Sequence, residues 1–460
     1  MKPFWALGRD VILGRIRDSP FYGLVKSVPS LFLIIFFLAL FFYLVNVPRD
    51  YQKNLETKTY RRLLTSYDIT SNTFLPYEII RNHKLSFGKE TMAAMRAIEE
   101  SKLPHSVIFA ESKYVPSYPI VSGLMAVPVY FVPLVLGKIP NLDTVQRILG
   151  VLLLGRIAAS FYTAISVGIF YLIIRKFSTT RKIKTGAWMY VFIFFFAFCT
   201  NVYSISSRGL WQHVSALLLN SLIILFLLYS NERKYLVKWL GLLCGLAFLA
   251  RPTNVFFILP VALIVFLRFR SEFVKFVAMG APIAIFYLSY NYLVFGSPIT
   301  NEYIARNDTT FSTPVWVGLF GYMFSPARSF LFITPPLVLS YLGMWKLFKS
   351  RSRDYVDTIL LYLSVAFLAT LVMYSTWWCW YGADRFGYGF FTEWIPVLTL
   401  LTYPLAIKIK GIGRFILVLL IAYSFYTQFN AVIYRKSRCN MNHNWDFYCL
   451  KPGMFSEQEY

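Results

Sequence analysis

The chain alternates long apolar runs with short clusters of Lys and Arg, and several of the runs reach the ~20 residues that a helix needs to cross a bilayer. They fall at about 28–47, 117–137, 148–174, 186–203, 209–230, 236–250, 253–267, 276–295, 327–345, 358–375, 387–407 and 412–433. Eleven of them read as transmembrane helices. The run 117–137 differs because it carries Pro119, Pro128 and Pro133, which remove backbone donors and disfavour a straight helix. It reads as a re-entrant or embedded segment, whose backbone is satisfied by protein or by a cavity. The predicted fold class is all-α and polytopic.

The basic clusters orient these runs, since cytoplasmic loops carry an excess of Lys and Arg. Lys2, Arg9, Arg15, Arg17 and Lys26 place the leader 1–27 in the cytoplasm, and clusters at 175–184, 233–238, 268–275, 346–353 and 408–414 fall on the same side. Counted with the adjoining Glu232, Asp354 and Asp357, this side holds 23 basic residues against six acids. The opposite side receives 48–116, 296–326, 376–386 and the tail 434–460, so that the domain 28–433 has its long loops outside. Within 48–116, Tyr77, Ile79 and Ile80, and again the stretch Thr91 to Glu100, have the pattern of amphipathic helix lying in the interface plane.

Composition agrees with this picture. The 460 residues are 57% hydrophobic, 19% aromatic and 15% charged, whereas roughly a quarter of the residues in soluble domains are charged. The net charge of +24 normally suggests nucleic acid, but a bilayer partner explains it better here. Five Cys and the lack of any repeat or heptad exclude disulfide-scaffold, collagen-like and coiled-coil classes. A first apolar run behind a 27-residue basic leader reads as an anchor, with no cleaved signal peptide expected. No Walker sequence, nucleophile elbow or zinc signature occurs, and the four His have no ligand-like spacing, so no metal is assigned.

Charge at membrane depth marks candidate function, because an unpaired buried charge is costly. Arg156 lies among Leu153, Leu154, Ile157 and Ala158; anion binding in a cavity is set against snorkelling to the outer headgroups. Arg251 precedes Pro252 between two runs, and Arg208 and His213 flank the entry of another, with Gln212 one turn from Arg208. Trp377-Trp378-Cys379-Trp380-Tyr381 followed by Gly382-Ala383-Asp384-Arg385 is an outer-interface loop, either an aromatic belt or a sugar-stacking platform. Asp68 has no cation within four residues, in a loop otherwise rich in Lys and Arg; a turn or cap role is the plain alternative.

Several motifs resemble the GT-C superfamily of integral-membrane glycosyltransferases. These are Tyr67-Asp68 followed by Phe74 to Arg81 and Leu85-Ser86-Phe87-Gly88; Tyr118-Pro119-Ile120 continuing to Val129-Tyr130; Ser206-Ser207-Arg208-Gly209-Leu210-Trp211-Gln212-His213; Ala250-Arg251-Pro252-Thr253; and Ser325-Pro326-Ala327-Arg328. The last three are similar to motifs of a bacterial branch related to the mannosyltransferase and aminoarabinose transferase families. The resemblance implies an acidic general base in the first outer loop, where Asp68 stands. It also implies a polyprenyl-phosphate sugar donor, here undecaprenyl phosphate, whose phosphate would be bound by Arg156, Arg208, His213, Arg251 and Arg385. Tyr118, Trp211, Gln212, Trp378, Tyr381 and Asp384 are the candidates for the remaining substrate contacts. Relatives commonly carry Arg where Gly389 stands, and Arg385 is the nearby substitute.

The expected activity is inverting transfer of one sugar to a glycan, lipid or protein acceptor on the outer face of a bacterial inner membrane, with the C-terminus outside. Beyond the lipid-phosphate-linked donor no cofactor is assigned, and a divalent metal is left open. The rivals are a lipid-linked glycan transporter or flippase, which needs no isolated acid in a long outer loop, and an O-antigen polymerase or ligase, which would rely on Arg and His in a late loop. A Cys439–Cys449 bridge is hypothesised in the outer tail, where Trp445, Asp446 and Tyr448 would cover the cavity.

Overall fold

The computed structural model describes residues 30–60, 62–306, 310–382, 385–433 and 445. The leader 1–27, Asp384, the Cys439–Cys449 bridge, Asp446 and Tyr448 lie outside the described residues. Among these residues seven helices are long and apolar enough to cross a membrane: Ser30–Thr57, Val145–Thr180, Ala187–Ser204, Gln212–Ser230, Arg270–Phe295, Tyr355–Thr376 and Gly411–Ile433. Shorter apolar helices cover Val121–Val135, Leu236–Ala250, Pro252–Arg268 and Val315–Phe324. The chain is therefore a helical bundle with the makings of a multi-pass membrane protein. Val145–Thr180 has 36 residues, roughly 54 Å at 1.5 Å per residue, well beyond the ~30 Å of a hydrocarbon core.

Position in the bundle follows side-chain burial. Gln212–Ser230 is its axis, with 89% of its most apolar stretch buried, whereas Arg270–Phe295, at 11%, lies at the edge. An all-round apolar helix is stable in either setting, against protein or against lipid. The edge helix docks through small residues: a Cβ on Gly241 would lie 1.8 Å from the Phe276 carbonyl oxygen, and one on Gly280 would lie 3.1 Å from that of Gly241. Small residues of this kind let membrane helix backbones approach closely.

The basic clusters gather at one end of the bundle. Arg181 pairs with Asp354 at 3.0 Å and with Asp357, Lys176 pairs with Glu232, and Arg268 lies 5.0 Å over the Tyr355 ring. Arg414 covers Trp188 in the same way at 5.7 Å.

Four features differ from the sequence reading. The run 327–345 is broken into Phe330–Ile333, a 3-10 turn over Pro335–Val338 and Leu339–Lys349, because consecutive Pro335 and Pro336 supply no N–H to a continuous helix. The run 387–407 likewise opens with a 3-10 turn, Gly389–Trp394, before Ile395–Ala406. The segment 296–326, read as loop, contains the ten-residue helix Val315–Phe324. Finally, an antiparallel hairpin, β1 (Val107–Ala110) and β2 (Lys113–Pro116), is the one sheet among the described residues.

The first part of the 48–116 loop is also less superficial than its pattern suggests. Helix Thr70–Asn82 is buried on all sides from Thr70 to Glu78. Its polar residues face protein: Asn72 donates to Pro119 O at 3.1 Å and accepts from Gly123 N at 3.1 Å, and Arg81 donates to Leu134 O and Ile139 O. These bonds lay it along Val121–Val135, and only its last turn, from Ile79 to Asn82, is part-exposed.

Candidate active site

Asp68 is positioned by a cap and a close approach. Ser66 Oγ accepts from Asp68 N at 3.3 Å and starts the 3-10 turn Tyr67–Ile69 that leads into Thr70–Asn82. The turn rests on the 206–211 segment, where a Cβ on Gly209 would come within 2.4 Å of Ile69 Cδ1. The hairpin then brings two further groups to Asp68. Its base is closed by Ser117 N donating to Ser106 O at 2.9 Å and Ser117 Oγ donating to His105 O at 3.1 Å. Glu99 fixes the other arm by accepting from His105 N at 2.6 Å and Ser106 Oγ at 3.2 Å. His105 and Tyr118, thirteen residues apart, thus stand side by side.

Three groups meet the Asp68 carboxylate. Tyr118 OH donates to Oδ1 at 2.8 Å, His105 Nε2 lies 3.3 Å from the same oxygen, and Arg385 Nη2 donates to Oδ2 at 3.0 Å. Burial alone would raise this carboxyl. The His105 hydrogen bond, the Arg385 charge and the Tyr118 hydroxyl together outweigh it and hold the group below its ordinary value. The same bond to Asp68 raises His105, opposed by burial and by Arg306. Asp68 is thus an ionised, hydrogen-bonded carboxylate with 19% of its side chain exposed.

Behind Asp68 runs a buried series of cations and aromatic rings. The Arg385 guanidinium lies 4.7 Å over the Trp211 ring and 4.9 Å over Phe390, with Nη1 3.5 Å from His213 Nε2. His213 Nδ1 is 2.9 Å from Glu393 Oε2, which leaves Nε2 to accept from Arg385. Arg251 pairs with Glu393, donates to Phe390 O at 3.0 Å and lies 5.2 Å over Tyr374. The 3-10 turn Gly389–Trp394 carries Phe390 and Glu393 in this arrangement. A Cβ on Gly389 would lie 3.3 Å from Arg385 Cβ, so the glycine leaves room for the Arg385 side chain. Two buried donors, Trp211 Nε1 and Arg385 Nε, have no acceptor among the described residues, an uncommon state for buried N–H groups.

The predicted residues divide into groups. Asp68, Tyr118, Trp211, His213, Arg251 and Arg385 come together. Gln212 accepts from Tyr303 OH at 2.7 Å on the flank of this group. Arg156 and Arg208 belong to an adjoining cluster: Arg156, 3% exposed, donates to Ser207 O at 2.8 Å and Tyr43 O at 3.4 Å, while Arg208 lies 3.6 Å from Asp50. Burial on these carbonyls replaces snorkelling for Arg156. Tyr381 is buried, 6.0 Å beneath Arg328, and Trp378 is exposed with its backbone N–H on Thr310 O at 3.1 Å.

Three site residues were not singled out by the sequence reading, His105, Arg306 and Glu393, and Arg328 entered it only within the Ser325–Arg328 motif. Glu393 carried a usable signal, an acid at the start of an apolar run. Arg328, fully buried, donates to Arg385 O. Arg306 lies 5.1 Å over the Tyr118 ring with Nη2 3.4 Å from His105 Nε2; nothing in its local sequence marks it. Among the described residues no group of three or more His, Cys, Asp or Glu side chains is placed to hold a metal ion. No protein-family model matches the sequence, and no curated protein matches it.

Proposed function

We propose that this chain is an inverting membrane glycosyltransferase of the GT-C type, with eleven spans, the basic end in the cytoplasm and the Asp68 end on the outer face of a bacterial inner membrane. It moves a sugar from undecaprenyl phosphate to a glycan, lipid or protein acceptor. The observation that carries this reading is the juxtaposition of an ionised carboxylate with a buried cation, Arg385, that reaches it from 317 residues away. The orphan donors Trp211 Nε1 and Arg385 Nε beside it suit an anionic ligand.

In this reaction Asp68 takes the acceptor hydroxyl proton as the oxygen attacks the anomeric carbon. The sugar–phosphate bond breaks and negative charge accumulates on the departing lipid phosphate. Arg385 is the group best placed to meet that charge, because a guanidinium has donors for both the carboxylate and a phosphate and cannot itself lose a proton. Arg251 and His213 stand behind it, locked by Glu393, so the donors need no reorganisation as charge develops. Arg156 and Arg208 form the adjoining wall. A flippase would not require Asp68 to remain ionised. Mass analysis of surface glycans from cells with and without the gene tests the proposal: a product lighter by one sugar is expected on deletion, and an unchanged glycan and lipid profile contradicts it.

A further inference from the structure

Each turnover of the reaction just described leaves one proton on Asp68, and that proton must depart before the next. The three partners of the carboxylate differ in whether they can take it. Arg385 holds donors only, and the Tyr118 hydroxyl already gives its proton to Oδ1. An imidazole with a bare Nε2 can accept. His105 Nε2 lies 3.3 Å from Asp68 Oδ1, and the His105 side chain is 54% exposed against 19% for Asp68. It is the partner that reaches both the carboxylate and water.

The surroundings give this imidazole two states. Arg306 Nη2, 3.4 Å from Nε2, is a donor only, so that contact needs a bare Nε2. The Asp68 contact needs a protonated one. Among the described residues the groups facing the ring are Asp68, Tyr118 and Arg306, with Glu99 bound to the His105 backbone and Arg385 beyond the carboxylate. Asp68 and Glu99 therefore favour the imidazolium and Arg306 opposes it, so the state of the ring follows whether the Asp68 carboxylate carries a proton.

We infer that His105 is a proton-relay and positioning residue, which receives the proton from Asp68 and releases it to water. The acceptor hydroxyl proton moves to Asp68 Oδ1 as the new C–O bond forms and the sugar–phosphate bond breaks. It passes to Nε2 of the neutral ring, and the resulting imidazolium returns one proton to solvent, restoring both groups. When His105 is already protonated the relay is blocked and its donor occupies Oδ1, so transfer falls toward acid pH.

This inference rests on the proposed base role of Asp68, and the test separates the two. Cells lacking the gene are complemented with wild type, His105→Gln or Asp68→Asn, buffered externally between pH 5.5 and 8.5, and the gene-dependent glycan product is timed. Wild type should slow toward acid, and His105→Gln should be at least about tenfold slower and lack that acid limb. A wild-type rate and pH profile in His105→Gln, with Asp68→Asn inactive, overturns the relay and leaves the base intact. Full activity of Asp68→Asn overturns both. A second readout needs no turnover: the imidazole ¹⁵N signal of His105 in the full chain in nanodiscs should titrate at lower pH in Asp68→Asn than in wild type. An identical titration in the two proteins overturns the relay even if His105→Gln fails to accumulate.

Discussion

Asp68 and Glu302 show how the same side-chain chemistry takes opposite states from its surroundings. Asp68 has three hydrogen-bonding partners and is held ionised, whereas Glu302, in the short helix Glu302–Ala305, is 5% exposed and pairs with no cation among the described residues. Burial pushes its carboxyl up to about 7. Since that lies above the unfolded value of about 4.3, Glu302 stabilises the fold fully below pH ~4, and this contribution is lost as pH rises toward 7. Glu302→Gln should therefore be more stable than wild type at pH 8, by about 3–4 kcal/mol, with the gain vanishing near pH 4. Thermal unfolding in detergent at the two pH values checks this; equal Tm values at pH 8 would show that the carboxyl is solvated. Residues of the site were legible to unequal degrees. Asp68 stood out because its own neighbours in sequence cannot neutralise it. Its partner Arg385 is 317 positions away and could be named only through a motif. His105 reaches the site through the fold of a hairpin whose inward and outward positions barely alternate.

At the scale of the element, helices were readable because lipid and core both demand apolar runs of fixed length, as in Leu236–Ala250 and Gly411–Ile433. What escaped the pattern were the breaks inside those runs, at Pro335–Val338 and Gly389–Trp394, since hydropathy is the same in a 3-10 turn and in a span. The second break is where Phe390 and Glu393 enter the site, so the least legible backbone is also the most consequential. Helix contacts make a separate prediction. Gly241→Ala places a methyl where the Phe276 carbonyl stands, overpacking that costs about 1–3 kcal/mol. Its Tm should fall by several degrees, while Gly186→Ala, with nothing within 4 Å of the new atom, should stay near wild type. Equal Tm values for Gly241→Ala and wild type would mean that the Leu236–Ala250 and Arg270–Phe295 helices are not in backbone contact.

For the whole molecule, the gathering of the basic clusters at one end and of Asp68 with its cations elsewhere fits a fixed orientation in the membrane. The segment 117–137 tests that orientation. Helix Val121–Val135 has Pro128 and Pro133 inside it, so part of its backbone lacks a donor and relies on the surrounding protein. Both of its ends are tied to the loop that carries Asp68, through Asn72 on Pro119 O and through Arg81 on Leu134 O and Ile139 O. A cysteine in place of Asn141 should thus react with an impermeant thiol reagent added outside, and labelling only from the cytoplasm would add a crossing. Asp68→Asn keeps the size of the side chain and removes its ability to take a proton. With the chain present at its normal level and its lipid-phosphate donor still bound, transfer should drop by about 10²–10⁴-fold; transfer at the wild-type rate would contradict the assignment of Asp68 as the base.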